Sequence, residues 1–188
     1  MSFLDELRSK KHTLRPTSTI LTHLDGQKFI QCGPETTPFH RKKFGFVVDT
    51  KPDNVPAKIT DFIYLGSQDC CDSEILRNYC IENVLSVGIE VKCGKNCKFV
   101  ECLDLPETDL EEVLAQSVDF IENAVQRQSN ILVHCNAGVS RSASIVIGYL
   151  ILVRGYNFLD AYNIVKNARS CVRPNDGFVT QLRNLTRS

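Results

Sequence analysis

The sequence has no excess of charge of either sign and no long apolar run. It holds 22 Lys and Arg against 22 Asp and Glu, a formal net charge of zero at pH 7. A balanced chain has no general electrostatic attraction to nucleic acid or to a membrane surface, so we expect neither as a partner. No segment approaches the roughly 18 apolar residues of a membrane helix, and no apolar signal segment is present near the N-terminus.

A regular cysteine framework is also missing, although the chain has nine cysteines. An odd number without a secretory segment favours free thiols in a reducing, cytoplasmic or nuclear setting. Cys93, Cys97 and Cys102 lie close together in the sequence, but no second close pair completes a tetrahedral set of zinc ligands. We therefore expect no metal and no cofactor.

Length and composition predict one domain with an N-terminal extension. A chain of 188 residues, 43% of them hydrophobic, can build one substantial core. We place the extension, which is mildly basic, at residues 1–54 and the main domain at residues 55–188. Within the extension, residues 2–11 predict a short helix, residues 19–31 a hairpin that turns at Asp25 and Gly26, and residues 32–38 a linker.

Residues 55–188 alternate short apolar strands with amphipathic helices. Strands are predicted at residues 58–66, 83–87, 98–103 and 131–133. Helices are predicted at residues 73–79, 109–128, 143–153, 158–165 and 175–185. This alternation predicts an α/β fold with a mostly parallel central sheet flanked by helices.

One segment, residues 131–142, carries the strongest functional signal. An apolar strand leads into a short loop from Cys135 to Arg141, and an apolar helix follows. Amides at a helix N-terminus are unpaired and the helix dipole adds positive charge, so a loop that curls at Gly138 can bind an anion. The same amides favour the thiolate of Cys135, the candidate nucleophile. The guanidinium of Arg141 can hold two phosphate oxygens, which completes a predicted phosphate-binding loop between a central strand and a buried helix.

The predicted phosphate-binding residues are the six that follow the cysteine: Asn136, Ala137, Gly138, Val139, Ser140 and Arg141. Ser142 can donate a hydrogen bond to the sulfur and make it a better leaving group. Adjacent residues of a strand point to opposite faces, so His134 points away from Cys135. We therefore expect His134 to support the loop from behind and not to act as a base. Asp104, after the third strand, can protonate the leaving oxygen when a phosphoryl group is removed from a serine, threonine or tyrosine side chain. Its rival Asp109 suits a helix start, where Thr108 is the predicted capping residue.

These residues resemble a known family. His134 and Cys135, five intervening residues, then Arg141 and Ser142 resemble the signature of protein tyrosine phosphatases, and the intervening residues are similar to those of the dual-specificity branch. Asp104 resembles the general acid of that family in its spacing from the cysteine. Within the branch, the chain is most similar to the small, atypical enzymes linked to stress-activated kinase pathways such as the JNK pathway.

The resemblance implies a protein phosphatase that hydrolyses phosphotyrosine and phosphoserine or phosphothreonine through a cysteinyl phosphate, with residues 55–188 as the catalytic domain. It implies phosphorylated proteins, kinases among them, as partners. Residues 41–48 also resemble segments that mitogen-activated kinases bind, although a strand is the favoured interpretation. No segment resembles the phosphotyrosine-recognition loop of tyrosine-only enzymes, which favours a shallow cleft.

Alternatives stay open at two levels. In one alternative, the whole protein is a kinase-binding scaffold with incidental catalysis. In the other, it is a phosphatase that acts on a non-protein substrate. Within the domain, three cations are interpreted as a solvated helix edge or as a site for a second phosphate: Lys166, Arg169 and Arg173.

Overall fold

The computed structural model describes residues 53–185 in full and, before them, the backbone of three strands. The chain divides into two compact units, Met1–Lys42 and Lys43–Ser188. The domain boundary after residue 54 stays a prediction. The helix predicted at residues 2–11 and the segment 41–48 lie outside the described residues.

The first unit contains a three-stranded antiparallel sheet. Its strands are, in order, β1 (Ser18–Thr22), β2 (Lys28–Cys32) and β3 (Glu35–Pro38). The predicted hairpin is present as β1 and β2, but a two-residue turn at Asp25 and Gly26 would pair Thr22 with Phe29, whereas Thr22 pairs with Lys28. The linker predicted at residues 32–38 is wrong, because β3 pairs with β2.

The second unit is built on a five-stranded sheet. Its strands are, in spatial order, β4 (Ala57–Lys58), β5 (Ile63–Gly66), β8 (Asn130–His134), β6 (Ile81–Val87) and β7 (Asn96–Val100). Only β4 runs antiparallel to its neighbour among these five strands. The predicted α/β fold with a mostly parallel sheet is confirmed.

Two predicted strands differ from the structure. Residues 58–66 do not form one strand, because the chain turns between β4 and β5, where the Ile59 N–H donates to the Ile63 carbonyl over 2.8 Å. The strand predicted at residues 98–103 begins at Asn96 and ends at Val100, so Cys102 and Asp104 already belong to the loop that follows.

Helices connect the parallel strands and complete the C-terminal half. They are a 3-10 helix (Gln68–Cys71), α1 (Ser73–Asn78), α2 (Leu110–Gln126), α3 (Arg141–Leu152), α4 (Phe158–Ala168) and α5 (Asp176–Asn184). Side chains of Asp72, Asn157 and Asn175 cap α1, α4 and α5. The cap of α2 is Asp109 and not Thr108, because the Asp109 carboxylate accepts from the amides of the first turn.

The central strand β8 is buried on both faces. Ile131 and Val133 belong to a large apolar cluster with the helices α2 to α5, whereas Leu132 belongs to a smaller cluster with the 3-10 helix and α1. Every residue of α3 from Ser142 to Ile151 is buried. Full burial of one such apolar side chain contributes about 1.5–3 kcal/mol. The core therefore anchors the loop between β8 and α3 at both of its ends.

The described part of the chain contains neither a membrane-spanning helix nor a metal-binding cluster. No helix there is long and apolar enough to cross a membrane. No group of three or more His, Cys, Asp and Glu side chains there is arranged to hold a metal ion.

The cysteines depart from the sequence expectation at one pair. Cys93 and Cys97 form a disulfide, so the expectation that all cysteines are free thiols is wrong there. Gly94 lies between them with a φ of +64° and turns the chain back, which brings the two sulfurs together. Six other cysteines are free thiols: Cys70, Cys71, Cys80, Cys102, Cys135 and Cys171.

Candidate active site

The loop between β8 and α3 curls around a buried cysteine. Cys135 follows the end of β8 and is only 2% exposed. The curl depends on Gly138, which has a φ of +66°. A Cβ on this residue would lie 2.5 Å from the Gly66 carbonyl oxygen, so a larger residue would both strain the backbone and collide with β5.

Donors from three other segments hold the carbonyl groups of this loop from outside. The Gln68 amide donates to the Asn136 carbonyl over 3.0 Å and the Arg173 amide to the Val139 carbonyl over 2.8 Å. Arg169 donates to the two carbonyls between them, from Nη2 to Ala137 over 2.9 Å and from Nε to Gly138 over 3.0 Å. A run of four consecutive carbonyls, at residues 136–139, is thereby fixed.

These contacts turn the loop amides inward. In a trans peptide the N–H of the following residue points opposite to the carbonyl, so outward carbonyls at residues 136–139 direct the amides of residues 137–140 into the loop. Among the described residues, no backbone or side-chain acceptor takes a hydrogen bond from these amides. The loop adjoins the N-terminus of α3, where the helix dipole adds positive charge. The result is a nest, which is a ring of inward-facing amides that can accept an anion, and phosphate binding there stays a prediction.

The cysteine and the arginine lie where this nest can use them. Ser142 Oγ donates to Cys135 Sγ over 3.2 Å, which is the predicted contact. Arg141 is held by one hydrogen bond, from Nη1 to the Gly88 carbonyl over 3.1 Å. Its Nε is buried and has no hydrogen-bond partner among the described residues, so this donor is available to an oxyanion. Gly88 has a φ of +70°, and a Cβ there would lie 2.5 Å from Arg141 Nη1.

His134 supports the loop from behind, as its position on the strand predicts. Its Nδ1 lies 3.3 Å from the Cys135 carbonyl, which can only accept, so Nδ1 carries the proton. Nε2 is then the acceptor of the hydrogen bond from Ser86 Oγ, at 2.7 Å. Burial lowers the pKa of His134 to about 4, so the imidazole is neutral at physiological pH. Both nitrogens are engaged away from the nest, so His134 has no free group to act as a base.

Asp104 is tied directly to the loop. Its Oδ1 accepts from Ser140 Oγ over 2.7 Å and from Asn175 Nδ2 over 2.8 Å. No contact among the described residues occupies Oδ2, so this oxygen is the one that can carry a proton. The rival Asp109 is used elsewhere: its Oδ1 accepts from the amides of Glu111 and Glu112 at the start of α2.

A second buried thiol lies close to the site. Cys102 is 2% exposed and belongs to the same apolar cluster as Cys135. Burial raises the pKa of Cys102 to about 12, against a smaller opposing effect of the Arg141 charge. Cys102 is therefore a neutral thiol at physiological pH.

Sequence reasoning missed several supporting residues. Arg169 was interpreted as part of a solvated edge or of a second phosphate site, but it is 6% exposed and bound to the loop. Ser86, Gly88 and Asn175 received no role at the site. They come from a neighbouring strand, the loop after it and a helix cap, and only Asn175 gave a signal, as the first residue of the helix predicted at residues 175–185.

The arrangement defines a class of protein. A cysteine in an amide nest, an arginine with a buried free donor and a carboxylic acid tied to the loop could together serve a cysteine-dependent phosphatase on an α/β sheet. A family model described as the catalytic domain of dual specificity phosphatases matches residues 63–188. The chain belongs to the dual-specificity phosphatase family.

Individual relatives agree with this assignment. Mouse "Dual specificity protein phosphatase 19" is 36% identical over 185 residues, which cover 92% of this chain and 84% of the relative. Arabidopsis thaliana "Dual specificity protein phosphatase 1" is 34% identical over 143 residues, covering 73% of this chain and 72% of the relative. The crystal structure of human DUSP28 has a TM-score of 0.66 and 27% identity, and covers 71% of this chain and 93% of that one.

Proposed function

We propose that this chain dephosphorylates phosphotyrosine and phosphoserine or phosphothreonine in proteins through a cysteinyl-phosphate intermediate. Family membership establishes the coarse activity, that of a dual-specificity protein phosphatase. The observation that carries the mechanism is the geometry of the loop: Cys135 Sγ lies 3.2 Å from Ser142 Oγ beneath amides that the protein leaves unpaired.

In the first step, the Cys135 thiolate attacks phosphorus and the bond from phosphorus to the substrate oxygen breaks. The loop amides and Arg141 Nε hold the equatorial oxygens, where negative charge is spread in the transition state. Protonated Asp104 gives its proton to the leaving oxygen from Oδ2. The dephosphorylated side chain leaves as a neutral alcohol or phenol, and phosphate stays covalently bound to sulfur.

In the second step, the Asp104 carboxylate takes a proton from a water molecule that attacks the phosphocysteine. The sulfur–phosphorus bond breaks and the electron pair returns to sulfur. Ser142 Oγ, already hydrogen-bonded to that sulfur, stabilises the charge that develops there. Inorganic phosphate is released, and both Asp104 and Cys135 return to their starting protonation states.

The proposed substrates are phosphorylated proteins of the mitogen-activated and stress-activated kinase pathways, the JNK pathway among them, in the cytoplasm or nucleus. Similarity to the small, atypical branch supports this choice, as does the mildly basic extension with its cluster Arg41, Lys42 and Lys43. A role of residues 1–54 in kinase docking is part of the same proposal. We propose no nucleic-acid partner, no membrane partner, no metal and no cofactor.

The test is phosphate release from matched phosphotyrosyl and phosphothreonyl peptides. Wild type is expected to hydrolyse both, Cys135→Ser neither, and Asp104→Asn both slowly. Cys171→Ser is the matched control for the first variant because Cys171 is an exposed free thiol. Asp109→Asn is the control for the second, since asparagine also caps helices well.

Three outcomes would redirect the proposal. If the protein hydrolyses only phosphotyrosine or only phosphothreonine across matched peptides, the proposal of dual specificity is wrong. If the protein hydrolyses inositol lipid head groups but none of the phosphopeptides, the alternative of a non-protein substrate is favoured. An inert wild type that still binds kinases through residues 1–54 would favour the scaffold.

A further inference from the structure

The side chain of Arg169 is among the best-anchored charged groups of the described chain. It is 5% exposed, and each of its three guanidinium nitrogens has a partner. Nε and Nη2 donate to the carbonyls of Gly138 and Ala137, as described above, and Nη1 lies 2.8 Å from Asp53 Oδ2. Every nitrogen has a protein partner and the side chain is almost fully buried, so Arg169 is bound to the loop and to Asp53.

A buried guanidinium needs a carboxylate, because an unpaired buried charge is costly. Asp53 supplies it and is itself held in place. The Asp53 carbonyl accepts from Ser67 Oγ over 2.7 Å, at the end of β5, while its carboxylate remains 43% exposed. Asp53 precedes residue 63, where the match to the family model begins. The carboxylate therefore comes from chain outside the matched domain.

We propose that Asp53 and Arg169 form a positioning pair for the phosphate-binding loop. Asp53 fixes the plane of the guanidinium so that Nε and Nη2 can hold two successive loop carbonyls outward. The amides of Gly138 and Val139 then point at the phosphate. Neither residue touches substrate: both act by keeping the nest formed before the substrate arrives. This inference rests on the proposed function, since it assigns a role within that same loop.

The test measures the affinity of the loop for an oxyanion and does not require turnover. Tungstate, a phosphate-shaped oxyanion, protects Cys135 from alkylation by iodoacetamide, and the concentration that gives half protection measures the affinity of the nest. We expect Asp53→Ala to weaken this affinity about tenfold, the size of a coupling between directly contacting groups. Asp53→Glu, which keeps the charge, should recover part of the loss. Asp61→Ala is the matched control because the Asp61 carboxylate is 89% exposed in its pair with Lys58.

A double-mutant cycle then shows whether Asp53 works through Arg169. In the Arg169→Lys background, one ammonium nitrogen cannot reach acceptors that lie beside three different nitrogens of the guanidinium, so Asp53→Ala should have little further effect on tungstate affinity. The kcat/KM for an aryl phosphate should fall in parallel with tungstate affinity. The thermal midpoint of each variant verifies that the domain is folded.

The proposal is overturned if Asp53→Ala binds tungstate as wild type does, or if its effect is the same in the presence and absence of Arg169. If the Arg169→Lys variant does not fold, the comparison of Asp53→Ala with Asp53→Glu decides, and equal losses reject the pair. Wild type that binds tungstate but releases no phosphate from any substrate would contradict the proposed function and leave the positioning pair intact.

Discussion

His134 makes the stability of the domain depend on pH. Its pKa is about 4 in the folded protein because burial disfavours the charged imidazole, whereas an unfolded chain titrates near 6.5. Below pH 6.5 the unfolded chain therefore binds a proton that the folded protein does not, and the free energy of unfolding falls as pH falls. The slope is about 1.4 kcal/mol per pH unit, so the loss approaches about 3 kcal/mol when pH nears 4.

The assay is urea unfolding of wild type and His134→Gln between about pH 7.5 and pH 5. Glutamine can accept from Ser86 but does not titrate, so the stability difference between the two proteins isolates the imidazole. Relative to the variant, wild type should lose about 2 kcal/mol over this interval.

Ser86→Ala is the control for this experiment, because it removes the hydrogen bond to Nε2 and keeps the titrating ring. It should be less stable than wild type at every pH and retain the pH dependence. A difference between wild type and His134→Gln that stays constant from neutral to acidic pH would show that His134 is not buried in the neutral form, and the assignment of its tautomer would fail with it.

Other side chains give more direct readouts. Asp104→Asn should reduce kcat on phosphopeptides by about a hundredfold to ten-thousandfold, with a smaller loss on aryl phosphates whose leaving groups need no proton; equal losses on both would reject a general acid. Ser142→Ala should slow breakdown of the intermediate more than its formation, seen as a burst of product before a slow steady state. Tyr149→Phe removes a hydrogen bond to Glu122 at 2.5 Å, so the free energy of unfolding should fall by about 1 kcal/mol, as measured in urea. That hydrogen bond lowers the pKa of Glu122 in the folded protein, so its contribution to the free energy of unfolding is complete above the pKa of the unfolded carboxyl group. The contribution is lost as pH falls through the pKa of Glu122 in the folded protein, and a Tyr149→Phe effect that grows in acid would contradict this.

Much of the site could be predicted because most of its proposed reacting groups, all but Asp104, lie in one short segment. The strand, the loop and the buried helix are contiguous from residue 130 to residue 152, so the position of Cys135 relative to Arg141 and Ser142 follows from local geometry. The continuous apolar run of α3 was an equally local signal. The alternation of apolar strands and amphipathic helices led to the correct fold class without knowledge of distant contacts.

The remainder depends on contacts between residues far apart in the chain. Nothing near Arg169 in the sequence shows that its side chain turns inward to the carbonyls of residues 137 and 138, or that Asp53 pairs with it. The same holds for Ser86 and His134, which meet only because β6 and β8 are neighbours. Residues 58–66 were mistaken for one strand because their apolar residues hide a turn made by hydrogen bonds to the Ile63 carbonyl.

The central claim is that phosphate passes through the sulfur of Cys135. The most direct measurement is mass spectrometry of the protein quenched in acid during turnover of a phosphopeptide, with Ser142→Ala used to slow the second step. The account predicts one phosphoryl group per chain, located on the peptide that contains Cys135 and absent from Cys135→Ser. Phosphate release by Cys135→Ser, or turnover by wild type and Ser142→Ala without any phosphorylated Cys135, would contradict it.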